Sequence, residues 1–172
     1  MLSERMLKAL NGQIVKEVYS AYLYMSMAAY FEAQSLPGFS KWMRVQGQEE
    51  SSHALIFFNY IVEQGARVRL GAVDAPPADF KSPAEVFQKT LAHEKQVTAS
   101  IHALAELADK DKDYATRQFL DWFIKEQVEE EASASTMAEQ LKRVGDGNAV
   151  FLLDKDAGTR TFVLPTPLTG KI

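Results

Sequence analysis

Four long stretches of this chain repeat apolar residues at spacings of three and four, the period of a helix with one buried face. The first runs from near Ser3 to about Gln34, with Leu7, Leu10, Ile14, Ala21, Tyr24, Ala28 and Phe31 on its stripe. Ser3 is available as its N-cap, and Ser35-Leu36-Pro37-Gly38 breaks it. The second runs from about Phe39 to Gln64, carries Met43, Ala54, Phe57 and Ile61, and ends at Gly65, in the position after a helix that glycine favours. The third opens with Ser82-Pro83-Ala84-Glu85, an N-cap serine, a proline in the first turn and a glutamate three residues on, the arrangement of a capping box. Its stripe is Phe87, Leu91, Val97, Ile101, Leu104 and Ala108, and Asp109 to Asp113 forms a short polar turn. The fourth, from about Tyr114 to Val144, carries Phe119, Phe123, Ala134, Met137, Leu141 and Val144 and is stopped by Gly145-Asp146-Gly147.

The connections suggest how these helices pack. The break at Ser35–Gly38 is short enough to favour an antiparallel neighbour. Residues 66–81 have no helical period and contain Gly71, Pro76 and Pro77. A helix the length of the second is roughly 40 Å long, and an extended segment of this length reaches about 50 Å. It could therefore run the length of a bundle and start the third helix parallel to the second. Residues 148–154 are expected to form a short fifth helix, and no structure is assigned after Gly158, where Pro165 and Pro167 fall. The expected fold is all-α, a four-helix bundle (1–145) with one long crossover, followed by a short fifth helix and an irregular tail (146–172).

Each stripe is interrupted by polar groups near its middle: Glu17 on the first, Glu50 and His53 on the second, Glu94 on the third, Gln127 and Glu130 on the fourth. Midpoints of similar-length helices coincide in depth whichever way each helix points, so the six side chains should meet in one interior layer. Four unpaired carboxylates in a dry core would each cost several kcal/mol, roughly. No arginine or lysine lies on the stripes at that level. The compensation left is protonation or bound cations, and carboxylates with one imidazole suit a pair of iron or manganese ions. The layout matches a dinuclear template of one glutamate from each of two helices and Glu-x-x-His from the other two. It departs from that template in one member, because Gln127-x-x-Glu130 stands where a second Glu-x-x-His would. Any single interruption could be a side chain that snorkels to solvent; four at one depth are harder to assign that way.

Composition narrows the chemistry. The 172 residues suffice for one well-buried domain. There is no cysteine, which removes disulfides, iron–sulfur clusters, thiolate zinc sites and cysteine nucleophiles together. A net charge of −4 without a basic cluster argues against a nucleic-acid surface. The N-terminus lacks the layout of a signal peptide, and the apolar run from Tyr22 to Phe31 is too short to span a bilayer. A cytoplasmic protein without membrane or nucleic-acid partners is expected.

With these residues in hand, the chain resembles the non-haem bacterial ferritins, up to about Lys155. The features that carry the resemblance are Glu17, Glu49-Glu50-x-x-His53, Glu94 and Glu126-Gln127-x-Glu129-Glu130, in that order around the crossover. The resemblance implies a ferritin-like four-helix bundle with a short fifth helix, assembled as a shell of twenty-four subunits. It implies storage and detoxification of iron, with a ferroxidase centre that oxidises two ferrous ions with dioxygen or peroxide and passes ferric product to a mineral. By position, Glu17, Glu50 and His53 would hold the first iron, with Glu50 bridging. Glu94 and Glu130 would hold the second, with Gln127 beside it. A third iron position maps onto Glu49, Glu126, Glu129 and Glu130; the residues alone would read Glu49, Glu126 and Glu129 as a solvated acidic face. Tyr24 and Trp122 correspond to redox-capable aromatics, although the pattern alone places Tyr24 in the core. Haem-carrying relatives have a methionine where Ser52 stands and a histidine where Glu130 stands, so no haem is expected. Two other readings of the residues remain at this point: a di-iron or di-manganese oxidase acting on an organic substrate, and a helical assembly module whose buried carboxylates are protonated or salt-bridged.

Overall fold

The structure, a computed structural model, describes residues 2–145 and 147–170. Helix α1 spans Glu4–Ala33, α2 Pro37–Glu63, α3 Pro83–Asp111, α4 Tyr114–Val144 and α5 Ala149–Ala157, and a single 3-10 turn covers Thr166–Leu168. Among the described residues there is no strand and no helix long and apolar enough to cross a membrane.

The helix ends follow local chemistry. Ser3 accepts a hydrogen bond from the Met6 amide, and Ser82 from the Glu85 amide at 3.1 Å. The return bond of that second cap goes from the Lys81 amide to Glu85 Oε2, at 2.5 Å, one residue earlier than in a standard capping box. Helix α2 begins two residues before Phe39, because Pro37 occupies the first turn, where its missing N–H is no loss. Gly65 follows α2 with φ +71°. The polar turn after α3 is shorter than expected: the helix continues to Asp111, Lys112 takes the left-handed conformation, and Asp113 caps α4 through the Thr116 amide. Gly145 ends α4; Asp146, where the expected division of the chain also falls, lies outside the described residues, as do Met1, Lys171 and Ile172.

The crossover runs along the bundle. The Arg69 amide donates to Asn11 Oδ1 near the start of α1, and Ser26 Oγ donates to the Pro77 carbonyl near its end. Helix α3 therefore starts beside the start of α2, where Phe87 meets Phe39 (5.5 Å between ring centres). It ends beside the start of α1, where Arg5 pairs with Asp111. So α2 and α3 are parallel, and α1 packs antiparallel to both.

The core is in two halves. One holds Met6, Leu10, Ile14, Phe57, Ile61, Ile101, Leu120 and Phe123, with the Phe57 and Phe123 rings stacked at 4.2 Å. The other holds Tyr24, Phe31, Phe39, Trp42, Phe87 and Leu141. A fully buried side chain of this kind contributes roughly 1.5–3 kcal/mol, so each half is a rigid block. The polar layer lies between them.

Helix α5 docks on the start of α2. Leu36 gives α2 no side-chain cap, and buried Asp154 supplies one, accepting from the Phe39 amide at 2.7 Å. The approach needs a glycine: a Cβ on Gly38 would lie 1.7 Å from the Asp154 carbonyl oxygen. Gly38→Ala is expected to lower stability by about 1–3 kcal/mol through that backbone clash, and Asp154→Ala by about 1 kcal/mol through the lost cap. Urea midpoints that move in neither variant would show that α5 is not docked there.

The tail beyond Gly158, expected to be irregular, is instead held in place. Leu168 is buried in the first core half. Lys41 Nζ donates to the Gly158 carbonyl at 2.8 Å, and the Arg160 guanidinium lies 4.3 Å over the Trp42 ring. These anchors are contacts with distant residues, and no local periodicity registers them.

Candidate metal centre

Each of the six interrupting residues is flanked along its helix by apolar turns that bury it. Glu17, Glu50, His53 and Glu94 are 1% exposed, Gln127 3% and Glu130 5%. Glu17, Glu50 and His53 can each place a ligand atom within 4.8 Å of the others, and His53, Glu126 and Glu130 form a second such group. Glu94 stands in neither group. Its carboxylate is held from two sides: the Tyr24 hydroxyl donates to Oε1, and Gln127 Nε2 lies 3.3 Å from Oε2. Gln127 Nε2 is also 3.3 Å from the Glu94 carbonyl and 3.3 Å from Thr98 Oγ1, so its amide is committed to α3.

Among the described residues three buried side-chain atoms have no hydrogen-bond partner: Glu17 Oε2, Glu50 Oε2 and His53 Nε2. They belong to the three residues of the first group. His53 Nδ1 is 3.4 Å from Glu50 Oε2, and the imidazole is boxed by Trp122 and Phe123 at 5.5 and 5.8 Å. Buried polar atoms are rarely left unpaired, and two carboxylate oxygens with an imidazole nitrogen form a donor set for a divalent cation.

Electrostatics point the same way. Burial, with Glu50 nearby, raises Glu17 from 4.5 to about 8. Glu94 is raised to about 8, again chiefly by burial and then by Glu130. Glu50 is pushed well above the carboxylate range by burial and by Glu94 and Glu130. A cluster that resists ionising without a counter-charge is one that a bound cation would stabilise.

The outlying residues divide by exposure. Glu49 is 17% exposed at its side chain and pairs with Arg160; burial still lifts it to about 7. Glu126 is half-buried, and burial raises it too. Glu129 is exposed. With Glu130, Arg160 and the tail residues Thr161, Val163 and Leu164 they line a cavity of about 460 Å³. Tyr24 is fully buried, and burial followed by the Glu94 charge puts its phenol well above 10. Behind it lies His93, bound at Nε2 to Ser20 Oγ (2.8 Å) and set edge-on to the Tyr24 ring at 6.0 Å. Burial lowers His93 to about 4, so it is neutral.

Four supporting residues escape the stripe reading. Gln13 Nε2 donates to Glu17 Oε1 at 2.7 Å, and Gln13 Oε1 accepts from Ser100 at 2.8 Å. Gln46 Nε2 donates to Glu130 Oε2 at 2.6 Å and lies 3.4 Å from Glu50 Oε1. Both glutamines stand four residues before a buried glutamate, one turn away on the same face. That spacing was the available signal. The fourth, Arg160, gave none.

The comparisons agree with this picture. Residues 7–144 match the family model described as a ferritin-like domain. The chain is 46% identical over 163 residues to a bacterial non-heme ferritin of Staphylococcus aureus (strain MRSA252), covering 94% of this chain and 98% of that protein. It is 40% identical over 160 residues to a bacterial non-heme ferritin of Bacteroides fragilis (strain 638R), covering 93% and 100%. Among solved structures, an open pore ferritin from the hyperthermophilic archaeon Archaeoglobus fulgidus superimposes with a TM-score of 0.92 at 49% identity, over 94% of this chain and 100% of that one. An engineered closed form of the Archaeoglobus ferritin gives 0.93 at 50% identity, over 95% and 100%. The chain belongs to the ferritin family.

Proposed function

We propose that this protein stores iron as a ferritin and oxidises it on entry, with the interior layer as the ferroxidase centre. The observation that carries this reading is the set of buried atoms on Glu17, Glu50 and His53 that lack a hydrogen-bond partner, on residues whose ligand atoms lie within one ion's reach. Iron(II) is the substrate. Glu17, Glu50 and His53 take the first ion, and Glu50 and Glu130 turn toward the second with Glu94. Each ferrous ion gives up one electron; dioxygen takes two electrons and two protons to become hydrogen peroxide, or peroxide takes two and becomes water. Anionic oxygens stabilise the higher charge of the ferric product, which is the direction the reaction must go. The residues around them hold geometry: Gln13 orients Glu17, Gln46 orients Glu130, and Tyr24 with Gln127 fixes Glu94.

Glu130 where a second imidazole would stand leaves the second ion with oxygen donors alone from this set. A weaker hold suits an ion that must leave, and the neighbouring Glu49, Glu126 and Glu129 form a third position on the way out. Shell assembly, as twenty-four subunits around a mineral, completes the reading, and the bundle of 1–145 with its appended tail is the unit that assembles.

Iron uptake tests this. Metal-free protein mixed with many equivalents of ferrous salt per chain in air should elute from a sizing column as a very large species carrying hundreds of irons. About two irons per chain on a small species would instead identify a di-metal enzyme.

A further inference from the structure

Arg160 pairs with Glu49 at the edge of this centre, and it arrives from the tail rather than from the bundle. Its guanidinium makes a fork: one nitrogen binds Glu49 Oε2, and the other donates to Gln46 Oε1 at 2.7 Å. Its face lies on Trp42. Arginine is donor-only, so the fork fixes which way the Gln46 amide turns. With Oε1 committed to Arg160, the Nε2 end must face Glu130 and Glu50, as it does. The same contact anchors the tail beside the cavity that Thr161, Val163 and Leu164 line together with Glu49, Glu126, Glu129 and Glu130. Beneath that cavity buried Glu130, which also lines its wall, and Glu126 can each place a ligand atom within 4.8 Å of one on His53 of the first site.

We propose that Arg160 is a tethered counter-cation that latches the C-terminal tail over the third metal position, so that an ion taking Glu49 as a ligand competes with the guanidinium for that carboxylate. The inference rests on the reading of this layer as a metal centre. A metal ion and the Arg160 guanidinium are both cations drawn to the single charge of Glu49, so an ion bound there repels the arginine and weakens its hold on Oε2. Loading the third position therefore releases the latch, frees Gln46 to turn, and opens the cavity toward whatever lies beyond the tail. An empty third position lets the arginine return and close it. Arg160 is a positioning residue. It makes no contact with the six residues of the layer except through Gln46.

The test uses zinc, a redox-inert probe, titrated calorimetrically into the metal-free assembled protein, with hydrogen exchange followed in residues 158–165. In Arg160→Gln the third equivalent should bind about tenfold more tightly, with the first two unchanged. Arg160→Lys keeps the charge but not the fork and should fall between. In the native chain, exchange in 158–165 should rise only as the third equivalent binds. Unchanged or weaker third-site binding in Arg160→Gln, or weakening of all equivalents together, would overturn the latch and leave the centre standing. So would tail exchange indifferent to zinc in the native chain. A native chain that takes up no zinc at all would overturn the centre and the latch with it.

Discussion

Glu50→Ala should slow rapid iron(II) oxidation by about a hundredfold or more while making the metal-free protein more stable. The two effects have opposite signs for one reason. Glu50 stands where both halves of the centre meet: His53 Nδ1 is 3.4 Å from its Oε2, and the charges of Glu94 and Glu130 act directly on it. Stabilising developing ferric charge through such ligands is worth several kcal/mol, and about 1.4 kcal/mol is tenfold in rate. Without metal the same carboxyl is 1% exposed and has an oxygen that no donor hydrogen-bonds, so removing it relieves a cost. His53→Ala, which strips one half only, should slow oxidation less. Stopped-flow oxidation and thermal melts of the metal-free variants check both arms. A Glu50→Ala protein that is as fast as the parent would end the site assignment. One that is slow but also less stable without metal would make Glu50 a structural residue.

The division of the core explains how so costly a layer is tolerated. The rings of Phe57, Phe119 and Phe123 below and of Phe31, Phe39 and Phe87 above are locked to one another at 4.2–5.9 Å. They bury enough apolar surface on both sides to hold the helices at fixed spacing whether or not the middle is satisfied. The six side chains are therefore held in place by packing alone, and on the proposed reading little ordering would remain to be done when an ion binds.

How far the sequence reveals this depends on what kind of contact fixes each part. Helices α1 to α4 are visible because caps and apolar periodicity are local. The six central residues are visible because a carboxylate on an apolar stripe is itself a conflict, and four conflicts at one depth call for one explanation. Gln13 and Gln46 are half-visible, since a neutral amide on a stripe raises no electrostatic alarm. Their role is legible only from the four-residue spacing to Glu17 and Glu50. The tail is opaque. Leu168 and Arg160 owe their places to Tyr60 and Phe119, which adjoin the terminal turn, and to Trp42, Gln46 and Glu49. All of these are more than forty residues away in the chain. A stretch with two prolines and no period offers no hint of them.

Stability of the metal-free protein should fall as pH rises from 5 to 8, and divalent metal should reverse the trend. Glu17 and Glu94 release their protons near 8 in the folded chain, against an ordinary value of 4.5. Between those values the folded state holds protons that the unfolded state has lost, so each pH unit climbed weakens folding. The limiting slope is about 1.4 kcal/mol per unit for each group. Below pH 4.5 both states are protonated and these groups contribute no slope; above about 8 both are ionised and the loss is complete. Zinc, or ferrous ion without oxygen, binds the ionised carboxylates of the folded state only, displacing protons as it does. Its stabilisation should accordingly be small at pH 5 and several kcal/mol larger at pH 8, with proton release measurable in an unbuffered titration. Glu17→Gln combined with Glu94→Gln should flatten the metal-free profile, because neither amide can ionise. Melting temperatures that are level across this range, in the presence and absence of metal alike, would mean that these carboxyls are already neutralised within the protein, and that the layer is a structural network with no ion to receive.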